Sequence, residues 1–295
     1  MVSGSRVHSS VLGGLLASAL GCRRVGVYSK RFPDGEAYVR VEGDFKGEVV
    51  VLVQSMESPQ VEGLFEVLLL ADALYGGGAS EVILYAPYLP YARQDRVFLE
   101  GEPVSVRAVL KSLYFNGVRR LVTVEAHSSR ALSYYPGEVL NLRPLPYMAK
   151  VLGLSSEVLV VSPDIGGVER ADGVARVLGA ERGYMVKRRD RVTGEVSMEP
   201  GDFNPRGRDV VIVDDIISTG DTIALASRTL YNTGAKRVSV IAVHLLGIPG
   251  SLEKIKASGA GKLTVSNSLP PVGGDNITYV DLTPLVAEGI SRWIE

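Results

Sequence analysis

Residues 211–222 read VIVDDIISTGDT, and few orders of residue type constrain a fold so tightly. Val211, Ile212 and Val213 are apolar β-formers, as expected of a strand buried on both faces of a parallel sheet. Asp214 and Asp215 follow at once, then the turn Ser218-Thr219-Gly220-Asp221-Thr222, then an apolar-periodic helix from Ile223 to Leu230. A strand ending in a hydroxyl- and glycine-bearing turn that feeds a helix N-terminus makes an anion site. Free backbone N–H groups and the positive end of the helix dipole face the ligand there. The hydroxyls of Ser218, Thr219 and Thr222 add donors. Two carboxylates just before that cradle would repel a bare phosphate, so they need another task; sugar hydroxyls or a divalent cation would suit them. Phosphate on one side and vicinal hydroxyls on the other describe a ribose 5-phosphate.

The rest of the chain alternates strand and helix in the same way. Residues 24–28, 81–86, 119–125, 157–161, 182–186, 237–243, 262–265 and 276–281 read as strands. Residues 37–42 and 48–54, split by a Gly-Asp-Phe-Lys-Gly turn, read as the two arms of a hairpin. Between strands, apolar-periodic helices are expected, one with Val61, Leu64, Phe65, Leu68 and Ala71 on a shared face. This alternation predicts an α/β protein of two doubly wound parallel-sheet domains. The boundary is expected near residue 143: 1–143, 144–282 and a closing helix at 283–295. In such sheets ligands sit beyond the carboxyl ends of the strands, so the loops that follow them are expected to converge on one cleft.

Composition narrows the function. Lys and Arg number 32 against 33 Asp and Glu, a formal net charge of −1, which gives no support for nucleic-acid binding. The single cysteine, Cys22, excludes an internal disulfide framework and a multi-cysteine zinc site, and fits the cytoplasm. Residues 11–22 have a lipoprotein-like look, but Val11, Leu12, Leu15, Leu16, Ala19 and Leu20 share a helical face behind Ser9 and Ser10. A core helix is the better reading, and no window is long and apolar enough for a membrane span.

The stretch at 211–222 resembles the ribose-phosphate-binding signature of the phosphoribosyltransferase fold. Four more blocks accompany it: Phe32-Pro33-Asp34-Gly35-Glu36, Tyr91-Ala92-Arg93-Gln94-Asp95-Arg96, Ser162-Pro163-Asp164-Ile165-Gly166-Gly167 with Arg170-Ala171, and Lys187-Arg188-Arg189. Together, in order and spacing, they resemble ribose-phosphate pyrophosphokinase, the phosphoribosyl pyrophosphate synthetase family, over essentially the whole chain. The resemblance implies that MgATP donates its β,γ-pyrophosphoryl group to the 1-hydroxyl of ribose 5-phosphate, with AMP released and Mg²⁺ required.

It also implies residue roles. Phe32, Asp34, Gly35 and Glu36 would hold adenine, by ring stacking and by acceptors for its exocyclic amine. Arg93 and Gln94 would contact the nucleotide, Arg93 through its bidentate charge. His127 would touch ATP or Mg²⁺, with Asp164 as a second metal-linked group, a sparse set that suits a cation keeping most of its waters. Gly166 and Gly167 would let backbone N–H groups approach phosphate. Asp214, Asp215, Ser218, Thr219, Gly220, Asp221 and Thr222 would bind ribose 5-phosphate, joined by Arg189. Lys187 and Arg189 would be catalytic, offsetting charge that shifts on the transferred group. The polar segment from Lys187 to Gly207 is expected to be a loop that orders on its substrates. Four positions depart from the family pattern: Glu125 stands where Asp is usual, Arg130 where Gln is frequent, and Ser218 and Asp221 where Asp and Gly are common. A phosphoribosyltransferase acting on a base would share residues 211–222 but would not need the other blocks or a second domain. A homo-oligomer is expected, since family members form one.

Overall fold

The computed structural model describes residues 1–189 and 196–294, with the backbone alone at Arg189 and Val196. The chain divides into two compact units, 1–142 with 268–270 and the segment from Leu282 onward, and 143–267 with 271–281.

In the first unit, β1 (Val2–Ser3), α1 (Val7–Ala19), β2 (Gly26–Arg31), β3 (Ala37–Glu42), β4 (Val49–Val53), α2 (Gln60–Gly76), β5 (Glu81–Ala86), α3 (Ser105–Phe115), β6 (Val118–Val124), α4 (Ser129–Leu132) and β7 (Glu138–Leu142) follow one another. A parallel sheet runs β1-β4-β5-β6-β7. Val25, just before β2, bridges Val2 in parallel from the other side of β1, so the winding direction reverses between β1 and β4. The hairpin expected from residues 37–42 and 48–54 does not form. β3 pairs antiparallel with β2 instead, and β4 enters the sheet. The reason is in the residues: VVVLV is apolar at every position and is buried from Val50 to Val53, whereas the alternating AYVRVE is half exposed and suits a two-stranded ribbon. The short edge strand β7 had no clear signal of its own.

Helix faces also differ from expectation. α2 buries Glu66, Val67, Leu70, Ala71 and Leu74, while Val61 and Phe65 are exposed. α1 buries Leu12 and Leu16 but leaves Val11 and Leu15 at the surface. Both helices are apolar on more than one side, so spacing alone could not pick the packed face.

The second unit comprises α5 (Leu145–Val151), β8 (Leu159–Ser162), α6 (Val168–Leu178), β9 (Glu181–Arg189), β10 (Val196–Pro200), β11 (Asp209–Ile217), α7 (Asp221–Asn232), β12 (Arg237–Leu245), α8 (Ser251–Ala257), β13 (Leu263–Ser266) and β14 (Ile277–Val280). Its sheet order is β10-β9-β8-β11-β12-β13-β14, parallel except for the β9–β10 pair. The chain winds from β8 to β9 on one side and from β11 onward on the other, so the switch point lies between β8 and β11. The central strands share one core, with Leu159, Val161, Val210, Ile212, Val240 and Ala242 among its buried residues. α9 (Thr283–Ile294) returns to the first unit, where the Arg120 guanidinium donates to the Trp293 carbonyl at 3.0 Å.

Candidate active site

β11 is longer than its apolar opening suggested. It continues through Asp214 and Asp215 to Ile217, pairing Asp214 with Ala242 and Ile216 with His244 of β12. On its other side, pairing with β8 ends at Ile212 and Val161, so the acids project from β11 where β8 has run out. Asp215 is 3% exposed, and the Arg170 guanidinium from α6 lies 3.4 Å from its carboxylate. Asp214 is half-buried and its Oδ1 accepts the Asp215 backbone N–H at 2.9 Å. Burial first, and then the neighbouring Asp215 charge, push the Asp214 carboxyl well above the ordinary carboxylate range.

Gly220 caps α7 with φ +80°, and a Cβ there would come within 2.6 Å of the Ser251 carbonyl oxygen. Conformation and space both require glycine. The N–H groups of the first turn of α7 therefore leave the helix beside the exposed Thr219 and half-buried Ser218 and Thr222. Asp221 is exposed and is held by Lys254 of α8 at 2.7 Å. The Lys254 hydrogen bond, and after it one from Thr219, lower the Asp221 carboxyl below the ordinary range. Its charge is thus spent on Lys254 and on orienting Thr219.

The loop after β8 stands next to that turn in the sheet order. Asp164 is exposed, and its Oδ1 accepts the Gly167 backbone N–H at 3.1 Å. The Gly167 N–H, expected to face phosphate, is committed within the loop. A Cβ at Gly167 would meet Ser162 Oγ at 2.3 Å, so this glycine answers to packing.

Lys187 and Arg188 lie on β9, not in a loop, and pair across to Met198 and Ser197 of β10. Arg188 forms an exposed ion pair with Glu199 at 2.5 Å, while Lys187, one residue earlier, projects from the opposite face. The expectations for the Arg189 side chain and for residues 190–195 fall outside the described residues.

In the first unit, the Phe32–Glu36 segment closes the β2–β3 ribbon. The Phe32 N–H donates to the Glu36 carbonyl, and the Glu36 N–H donates to Asp34 Oδ1 at 3.2 Å, with Gly35 at φ +96°. All five residues of that turn are exposed; Phe32 meets Tyr38 edge-on at 5.9 Å and carries Lys30 over its ring. Arg93 is exposed in the loop after β5. The neighbouring Gln94 spends its amide oxygen inside that loop: Oε1 accepts from Ser105 Oγ at 2.6 Å. His127 is exposed in the loop after β6, and Glu125 beside it is buried with φ +42°. Sequence reasoning assigned no role to Arg170, Lys254, Asp95 or Ser128, because their partners are distant in the chain. Among the described residues, no three His, Cys, Asp or Glu side chains gather as a metal cage.

A parallel sheet whose switch point carries an acid pair on one strand, followed by a hydroxyl-bearing turn on a helix N-terminus, defines an α/β protein of phosphoribosyltransferase type. Comparison with known proteins agrees. Residues 3–117 match the N-terminal domain of ribose phosphate pyrophosphokinase, and residues 147–262 match the phosphoribosyl transferase domain. The chain is 44% identical to ribose-phosphate pyrophosphokinase of Aeropyrum pernix, covering 95% of this chain and 92% of the relative. It is 39% identical to that of Saccharolobus solfataricus, over 92% and 94%. The crystal structure of phosphoribosylpyrophosphate synthetase from Mycobacterium smegmatis superposes with a TM-score of 0.91 at 28% identity, covering 99% of this chain and 98% of that one. The chain belongs to the ribose-phosphate pyrophosphokinase family, whose reaction passes the pyrophosphoryl group of ATP to ribose 5-phosphate and gives phosphoribosyl pyrophosphate and AMP.

Proposed function

We propose that the two units divide the substrates of this reaction, the second holding ribose 5-phosphate and the first ATP. The observation that carries this reading is the switch point between β8 and β11, where Asp214, Asp215 and the 218–222 turn meet the Asp164 loop. The 5-phosphate takes the N–H groups at the start of α7 and the hydroxyls of Ser218, Thr219 and Thr222. The 2- and 3-hydroxyls donate to Asp214 and Asp215, with Arg170 offsetting the buried charge. Gly220 shapes the turn, and Asp221 acts through Thr219 and Lys254.

Adenine stacks on Phe32 with Asp34, Gly35 and Glu36 around its edge. Arg93 grips the nucleotide phosphates on a loop braced by Gln94, and His127 faces the same nucleotide. The 1-hydroxyl oxygen bonds to the β-phosphorus and its proton passes to solvent, while the bond from that phosphorus to the α,β-bridging oxygen breaks and AMP departs with that oxygen. Lys187 and Arg189 offset the charge that moves onto the bridging oxygen. Asp164, exposed in the loop after β8, offers the carboxylate oxygen that suits Mg²⁺, a hard cation that keeps most of its waters, while His127 is read as a contact to the nucleotide that would carry it. Bound to ATP, it would supply charge neutralisation on the phosphates. A homo-oligomer in the cytoplasm belongs to this reading as the family resemblance implies; the half-buried Cys22 fits a reducing compartment, and the near-balanced charge gives no support for nucleic-acid binding.

AMP release from ATP and ribose 5-phosphate, followed by chromatography, tests the reading. Lys187→Ala should lower kcat by about 10³-fold or more while leaving both KM values near wild type. Unchanged turnover in that variant would remove Lys187 from the reaction.

A further inference from the structure

We propose that Asp95 is a positioning residue for the nucleotide, acting through Ser128 to hold the Arg93 loop in register with the His127 loop. This rests on the reading of Arg93 and His127 as ATP contacts. Asp95 sits two residues past Arg93, and Ser128 follows His127 directly. The Ser128 hydroxyl donates to Asp95 Oδ2 at 2.6 Å, across 33 residues of chain. A second tie comes from the same neighbourhood: the Tyr134 hydroxyl donates to the Asp95 carbonyl at 3.1 Å. The Asp95 side chain is 16% exposed, and the only other contact it makes with a charge among the described residues is a long one, 4.0 Å to Arg96.

Ser128 is also fixed from its own side. As the N-cap of α4 its oxygen accepts the Ala131 N–H at 3.1 Å, so the hydroxyl proton is directed to Asp95. Both loops carry backbone strain of the kind that persists where surrounding contacts over-determine it. Tyr91 has φ +65° just before Arg93, and Glu125 has φ +42° just before His127; they are the non-glycine residues with positive φ among those described. Neither conformation is favourable for an isolated loop, and the Asp95–Ser128 bond joins the two strained segments directly. Each loop alone could relax; joined, they present Arg93 and His127 at a fixed spacing. A charge-assisted hydrogen bond in a mostly buried setting is strong enough to set that spacing.

The test is steady-state kinetics of the full-length enzyme bearing Ser128→Ala, Ser128→Thr, Asp95→Ala, Asp95→Asn and the Asp95→Ala/Ser128→Ala pair, with Arg93→Ala alongside. Ser128→Ala and Asp95→Ala should each raise the KM for ATP about tenfold and leave the KM for ribose 5-phosphate unchanged. Ser128→Thr and Asp95→Asn, which keep a donor and an acceptor, should recover most of the loss. The double variant should be no worse than the poorer single one, because both remove the same bond. Hydrogen exchange of residues 91–103 in the substrate-free enzyme should quicken in Ser128→Ala and not in Ser128→Thr. Unchanged ATP KM in both alanine variants, or a double variant showing the product of the two single effects, would overturn the proposal. So would a parallel rise in both KM values with a matching fall in melting temperature, since that is the mark of a purely structural contact. If Asp95→Ala does not fold, the Ser128 pair decides alone. If Arg93→Ala leaves the ATP KM unchanged, the nucleotide assignment itself fails, whether or not the exchange result shows the two loops to be joined.

Discussion

Arg170 of α6 and Asp215 of β11 form a buried ion pair at 3.4 Å, with side chains 9% and 5% exposed, at the proposed sugar site. A buried pair adds little net stability, but removing one member strands the other's charge. Arg170→Ala should therefore destabilise the second unit by about 3–5 kcal/mol and raise the KM for ribose 5-phosphate. Urea titration beside substrate kinetics checks both, and a variant of unchanged stability would show that Asp215 is neutralised some other way.

Asp214 gives a prediction of opposite sign. Its carboxyl is raised in the folded protein, so the proton is held more tightly folded than unfolded. Ionisation then costs stability as pH rises from the ordinary carboxylate range through the raised folded value. Asp214→Asn should make the substrate-free protein melt higher at neutral pH, by about 2–4 °C for each kcal/mol relieved, while abolishing ribose 5-phosphate binding. Melting curves taken at decreasing pH should show the gap closing toward the ordinary carboxylate range, where wild-type Asp214 is also protonated.

Gly220→Ala should cost about 1–3 kcal/mol, since φ +80° and the Ser251 carbonyl 2.6 Å from the new Cβ both oppose it. The distortion falls on the proposed phosphate turn, so the KM for ribose 5-phosphate should rise more than that for ATP. Equal changes in both would argue against a phosphate at this helix start.

The Lys254–Asp221 pair is exposed, and its loss should change stability by less than about 1 kcal/mol. Lys254→Ala nevertheless frees a carboxylate beside the proposed phosphate turn, so the KM for ribose 5-phosphate should rise and the rise should shrink in added salt. A salt-independent effect would indicate a packing change in α8 instead.

Residues 211–222 alone specified strand, acids, turn and helix, because each step needs only local chemistry: β-branched apolar residues, an αL glycine and a helix start. The Phe32–Glu36 turn was legible for the same reason, though its ribbon partner was not. The choice between pairing β3 with β4 or with β2 depends on which strand finds a fully buried slot, and that is settled only once the sheet exists.

The order of residue types fixed the α/β alternation, the hydroxyl-bearing turn proposed to hold phosphate and the family resemblance, since periodicity and turn chemistry are written along the chain. Tertiary structure decided which faces of α1 and α2 are packed, and it placed Lys187 on a strand. It spent Asp221, Gln94 and the Gly167 N–H on internal partners, and it brought Arg170 to Asp215 and Asp95 to Ser128. Most of those outcomes are contacts between residues far apart in sequence, and no local propensity encodes which distant group will arrive.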